Sequence, residues 1–327
     1  MPDGRLIALT GLTTLSATKY AFGCASVGKF TYAFGGLTTS STNVIEGFSV
    51  NPSTGELTAL TEEPNLSAGK QSISCASVGN YIYVMGGYTT AATNVIEGFS
   101  VNPSTGELTA LTEEPNLSAA KFATGCASVG NYIYVMGGYN GTNRYDVIEG
   151  FSVNSSTGAL TALTGEPTLS VAKHAISCAS VGKFIYAFGG SASTGIVDTI
   201  EGFSVNPSTG ELTALTGEPV LSVAKYGVSC ASVGNYIYVM GGYTTAATNV
   251  IEGFSVNPST GELTALTEEP VLSVAKYYTG CASVGNYIYV MGGYNGTNRY
   301  DVIEGFKVTL PTGSGVSVGT SPMMIGM

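Results

Sequence analysis

The 327-residue chain has no tryptophan, one histidine (His174) and four aspartates. A lone imidazole cannot assemble the several histidines of a copper oxidase, and six cysteines without a Cys-x-x-Cys pair do not make a zinc centre of the usual spacing, so no metal and no cofactor is expected. Cations are scarce as well: 12 Lys and Arg stand against 22 Asp and Glu, a net charge of −10. Phosphate backbones and anionic bilayer surfaces are held by clustered cations, so nucleic acid and membrane are excluded as partners. No run approaches the roughly 18 apolar residues of a membrane-spanning helix. No apolar helical period outlasts a turn or two, which leaves helix little to grow on. Met1-Pro2-Asp3-Gly4-Arg5 lacks the basic and long apolar parts of a secretory leader, so export by that route is not expected. Neither Gly-x-Ser-x-Gly nor a P-loop occurs, and His174 has no readable Ser or Asp partner, so no catalytic residue is assigned.

What the chain has is repetition. The phrase Cys-Ala-Ser-Val-Gly sets cysteines at Cys24, Cys75, Cys126, Cys178, Cys230 and Cys281, in steps of 51, 51, 52, 52 and 51 residues. A fixed period near fifty marks blades or solenoid units, and with 45 glycines and 20 tyrosines it predicts one closed all-β ring. The expectation is a six-bladed β-propeller over residues 1–312, with four antiparallel strands per blade, followed by an apolar tail over 313–327.

In the third copy the strands are read, outward from the axis, as a (Thr124 to Val129), b (Tyr132 to Met136), c (Val147 to Val153) and d (Ala159 to Leu163). Gly130-Asn131 and Asn154 to Gly158 supply the hairpin turns, and Glu166-Pro167 leads to the next blade. Strand a is built of small residues because blades converge on the axis. Strands b and c are almost continuously apolar, as expected where both faces of a sheet are covered. The last unit lacks its own strand d. Gly4 to Thr10 aligns with Gly55 to Thr61, so the N-terminal strand is expected to complete the last blade. Blades 1 and 4, 2 and 5, and 3 and 6 share loop sequences, so three blades were duplicated as a set.

Tyr-Ile-Tyr-Val-Met-Gly-Gly and the stretch Phe99 to Leu108 resemble the double-glycine strand and the Tyr-Asp-Pro-x-Thr-x-x-Trp stretch of kelch-repeat proteins, over residues 1 to about 310. Phe replaces the usual Tyr and Leu the usual Trp. The resemblance implies a kelch propeller. That family holds interaction modules, cytoskeletal and adhesive proteins, and a few enzymes such as galactose oxidase and sialic acid mutarotases, so function has to come from the residues.

Lysine recurs just before strand a, at Lys19, Lys70, Lys121, Lys173, Lys225 and Lys276. Glutamate recurs inside strand c, at Glu46, Glu97, Glu149, Glu201, Glu252 and Glu304. A carboxylate on a packed face needs a partner, so one structural ion pair per blade is expected. The six cysteines hold equivalent places on radial strands and are expected to be free, inert thiols, which suits a cytoplasmic or virion-associated setting.

The copies differ at the b–c loops and the approach to strand a, which strand alternation puts on one face. Directly after the lysines stand Tyr20, Gln71, Phe122, His174, Tyr226 and Tyr277, expected as a ligand-binding ring at the channel mouth. Around them lie Tyr88, Tyr139, Tyr243 and Tyr294, with Arg144, Tyr145, Asp146 and their copies Arg299, Tyr300, Asp301. Tyr and Arg dominate binding hot spots. The reading is a non-enzymatic scaffold that presents this face to a protein or glycan. One alternative, from the resemblance, is a sugar-isomerase-like enzyme using the central pocket; another is a structural subunit of an assembly or virion surface. For the uncharged tail a flexible end is the default expectation, and the sharper reading is a peptide that docks on a partner or plugs the channel.

Overall fold

The computed structural model describes residues 4–112 and 114–311. Among the described residues there are six four-stranded antiparallel sheets, one per repeat, and no helix. In the third blade strand a is Gly125–Val129, b is Tyr132–Met136, c is Ile148–Val153 and d is Leu160–Ala162. The N-terminal strand Leu6–Ala8 completes the last sheet, with Leu6 opposite Val308 and Ala8 opposite Phe306. No helix of the described residues is long and apolar enough to cross a membrane. The tail over 313–327 lies outside the described residues.

Strands a, c and d are shorter than the sequence pattern suggests. Thr124, Ala159 and Leu163 fall outside the ladders, and Val147 keeps only an isolated bridge to Thr168. Strand d, three residues long, pairs on one side only, and a short edge is a poor template for further pairing.

Each hydrophobic cluster straddles a blade junction. Tyr134, Met136 and Ile148 of the third blade meet Ile176, Ile185 and Phe203 of the fourth. Ile133 and Val135, on the other face of the same strand, pack toward the second blade. Tyr132 apart, strand b of this blade is fully buried because both of its faces are covered, and this is why its sequence shows no alternation.

Polar staples repeat around the ring. The strand-b tyrosine of each blade donates its hydroxyl to a glycine carbonyl in the c–d turn of the next, as Tyr289 does to Gly55 at 2.7 Å. The double glycine has a similar cause. Gly36, at φ 106°, donates its N–H to the Lys70 carbonyl at 2.8 Å, and a Cβ on Gly35 would lie 2.6 Å from that oxygen. The next blade's lysine backbone comes so close that a side chain there is excluded.

Just past the double glycine the chain forms a small three-stranded ribbon that the sequence pattern does not announce. In the fourth blade it is a sheet of Lys173–His174, Ser191–Ala192 and Gly195–Ile196. In the others it shrinks to paired bridges, such as Phe122 to Tyr139 to Arg144. These ribbons carry the variable residues.

Candidate recognition face

Five of the six residues that follow the lysines sit in ribbon bridges and His174 in the ribbon sheet, and all are half-buried. The structure joins most of them into two aromatic arcs. In the first, Tyr88 meets Phe122 edge-on at 5.2 Å, Phe122 meets Tyr139 at 5.5 Å, and Tyr139 stacks on His174 at 5.0 Å. In the second, Tyr226, Tyr243, Tyr277 and Tyr294 follow one another at 5.3, 5.1 and 5.7 Å, and Tyr294 stacks on Tyr20 at 4.8 Å. Leu37 and Gln71 stand in one gap between the arcs and Ser191 in the other. The arcs correspond to one another under the internal duplication, but each crosses from one half to the other: His174 of the fourth blade ends the first and Tyr20 of the first blade ends the second.

Each arc has an arginine over one of its rings. The Arg144 guanidinium lies 5.5 Å from the Tyr139 centroid, and Arg144 Nε donates to the Ser191 carbonyl at 3.2 Å. The exposed Arg299 lies 5.7 Å from the Tyr20 centroid. Such placements combine cation–π attraction with a charged tip facing water. Tyr145 and Tyr300 brace the loops: each hydroxyl accepts from an asparagine amide, Asn140 at 2.8 Å and Asn295 at 2.6 Å. The backbones of Asp146 and Asp301 accept from Leu169 and Leu15, tying each loop to the adjoining junction.

His174 Nδ1 lies 3.1 Å from the Ser191 carbonyl, which selects the tautomer protonated there. Burial and then the Arg144 charge hold its pKa below the ordinary value, so the ring is neutral at pH 7 and presents Nε2 as an acceptor. Burial, then the neighbouring tyrosines, pushes Tyr277 up to about 12, so this phenol stays a donor.

None of the six predicted ring residues lines the channel itself. The residue after each one does: Ala21, Ser72, Ala123, Ala175, Gly227 and Tyr278. The cavity of about 250 Å³ is lined by Ser, Thr, Ala, Cys and Gly, with Phe22, Ile73, Ile176, Val228 and Tyr278 among them. Among the described residues no charged side chain lines it.

The lysines and strand-c glutamates meet in every blade, at 2.7 Å for Lys19 and Glu46 and 2.6 Å for Lys121 and Glu149. In all six pairs the contact is coulombic: the lysine Nζ or the glutamate Oε1 that faces it has no aligned hydrogen bond. The second carboxylate oxygen accepts a serine amide from the approach to strand a, as Glu149 does from Ser118 at 2.7 Å. The cysteines are free among the described residues, and burial pushes Cys24, Cys126 and Cys230 up to about 12. Two sets of residues are not singled out by the sequence pattern. One is the channel ring just named. The other is the glutamate of each Glu-Pro linker, a periodic signal that looks like a mere connection.

No individual curated protein matches the chain. The family model described as the KLHDC2/KLHL20/DRC7 Kelch-repeats domain matches residues 21–200, more than half of the chain, and the Kelch motif matches residues 275–305. The double glycines, the six four-stranded sheets and these matches agree: the chain belongs to the kelch-repeat family.

Proposed function

We propose that the protein is a recognition scaffold whose two aromatic arcs, each with its arginine, form the binding face for a protein or glycan. Kelch repeats are generally protein-interaction scaffolds, and the family is typically non-enzymatic. The observation that carries the finer reading is the joining of Tyr226, Tyr243, Tyr277, Tyr294 and Tyr20 into one half-buried surface beside the exposed Arg299. Rigid rings bring large contact area at little entropic cost, and the scaffold beneath them is stapled blade to blade.

The test is to screen the full chain against a displayed random-peptide library and a glycan array, then measure Kd for each hit with wild type and with Arg144→Ala, Arg299→Ala and Tyr277→Ala. A hot-spot loss of about 2 kcal/mol, roughly thirtyfold in Kd, is expected for at least one variant. Unchanged affinity in all three would move the binding face elsewhere on the ring.

A further inference from the structure

The links from strand d to the next blade hold a second glutamate series that takes no part in the Lys–Glu pairs: Glu63, Glu114, Glu166, Glu218 and Glu269. Each carboxyl is pressed against a strand-c glycine. A Cβ on Gly47 would lie 2.9 Å from Glu63 Oε1, and one on Gly253 would lie 2.9 Å from Glu269 Oε1. The carboxyl also reaches across the junction: Glu63 accepts the amide of Leu108 in the next blade, and Glu269 that of Leu6. In all five residues Oε2 is buried and has no hydrogen-bond partner among the described residues.

Little positive charge faces these groups. Glu63 faces the Tyr32 phenol and the Glu107 carboxylate, and Glu114 faces Tyr83. Glu166 faces Tyr134 and Glu211, and Glu218 faces Tyr186 and Glu262. Glu269 has a cation nearby, Arg5, alongside Tyr238. The sixth junction shows what the pocket prefers. There Leu12 takes the glutamate's place, with Cδ1 2.6 Å from where a Cβ on Gly305 would sit. The site that accepts a carboxyl at five junctions accepts hydrocarbon at the sixth, so it suits an uncharged group.

We propose that these five glutamates form a proton-operated clasp: protonated, they fill their junctions as Leu12 fills the sixth, and ionised, they loosen five of the six, so that the ring is tightest in mild acid. Burial raises all five carboxyls, to about 7 at Glu63 and Glu269. The folded ring therefore binds more protons than the unfolded chain. The stabilisation is full below the unfolded value of 4.5 and is lost as pH rises through about 7.

The experiment is urea unfolding of the full chain from pH 5 to pH 7.5, at low salt and at about 0.5 M salt, where repulsion between exposed charges is screened. The midpoint should fall across this range at both salts. A flat or rising profile at high salt overturns the proposal. Replacing all five with glutamine should flatten the profile, and a retained slope also overturns it. If that variant does not fold, Glu63→Leu, which copies the Leu12 junction, serves instead: it should raise the midpoint more at pH 7.5 than at pH 5, and an equal or reversed effect sinks the clasp.

Discussion

The amide of Ala21 in the first blade donates to the carbonyl of Tyr278 in the last, at 2.8 Å, and closes a ring of six backbone hydrogen bonds around the channel. Ser72 donates to Ala21, Ala123 to Ser72, Ala175 to Ala123, Gly227 to Ala175 and Tyr278 to Gly227, at 2.6 to 2.9 Å. All six residues have φ between 51° and 62°, and only one of them is glycine. Every bond points the same way round, so the left-handed backbone is the geometry that lets each blade pass its amide to the blade before it.

That geometry is strained for a side chain, at about 1–2 kcal/mol per residue. Gly227→Ala should therefore destabilise the ring by about that amount, the more so because its Cβ would come 3.1 Å from the Tyr278 ring. Ala175→Gly should be neutral or stabilising, since relief of strain outweighs the entropy of about 0.4–1 kcal/mol that glycine adds to the unfolded chain. Urea midpoints of the two variants check this. An Ala175→Gly loss above about 1 kcal/mol would mean that the left-handed backbone there carries no strain.

The Lys121–Glu149 pair makes a sharper prediction. Lys121 is 1% exposed and Glu149 is 12% exposed, so removing the lysine leaves a carboxylate in a mostly dry junction. Lys121→Met should cost about 3 kcal/mol, the lower end of the range for breaking a buried pair, because Glu149 keeps the Ser118 amide. Adding Glu149→Gln should restore much of the loss, because an amide can accept the same serine N–H without a charge. Equal costs for the single and double variants would show that the loss does not come from stranding the Glu149 carboxylate.

The blades, the closing strand and the side of the disc that varies are legible in the sequence because each repeats or breaks a period of about fifty residues. The channel ring is not, because the residues that form it, Ala21, Ser72, Ala123, Ala175, Gly227 and Tyr278, share no chemistry; they share a backbone dihedral, which composition does not display. The arcs are half legible. Tyr277 and Tyr294 are readable as residues of one face, but their joining to Tyr20 across the last junction depends on ribbon pairing just beyond the double glycines. The glutamate clasp is periodic and still easy to pass over, because a carboxylate beside proline in a linker has the look of a solvated turn.

The thiols offer a test of the channel wall. Cys24, Cys126 and Cys230 are pushed up to about 12 by burial, with a nearby lysine pulling the other way in each. Cys75, Cys178 and Cys281 are raised well above the ordinary value, by burial first and then by the cysteines of the blades on either side. At pH 8 a thiol with a pKa near 12 is ionised about a thousandfold less than one near 9, and the thiolate is the reacting species. Iodoacetamide should therefore add nothing to the native chain over hours and should add six groups in urea, read by intact mass. The channel is lined by these same cysteines, so a small reagent that enters it meets them directly. Rapid native labelling at any one position would mean that the thiol there is ionised in the fold.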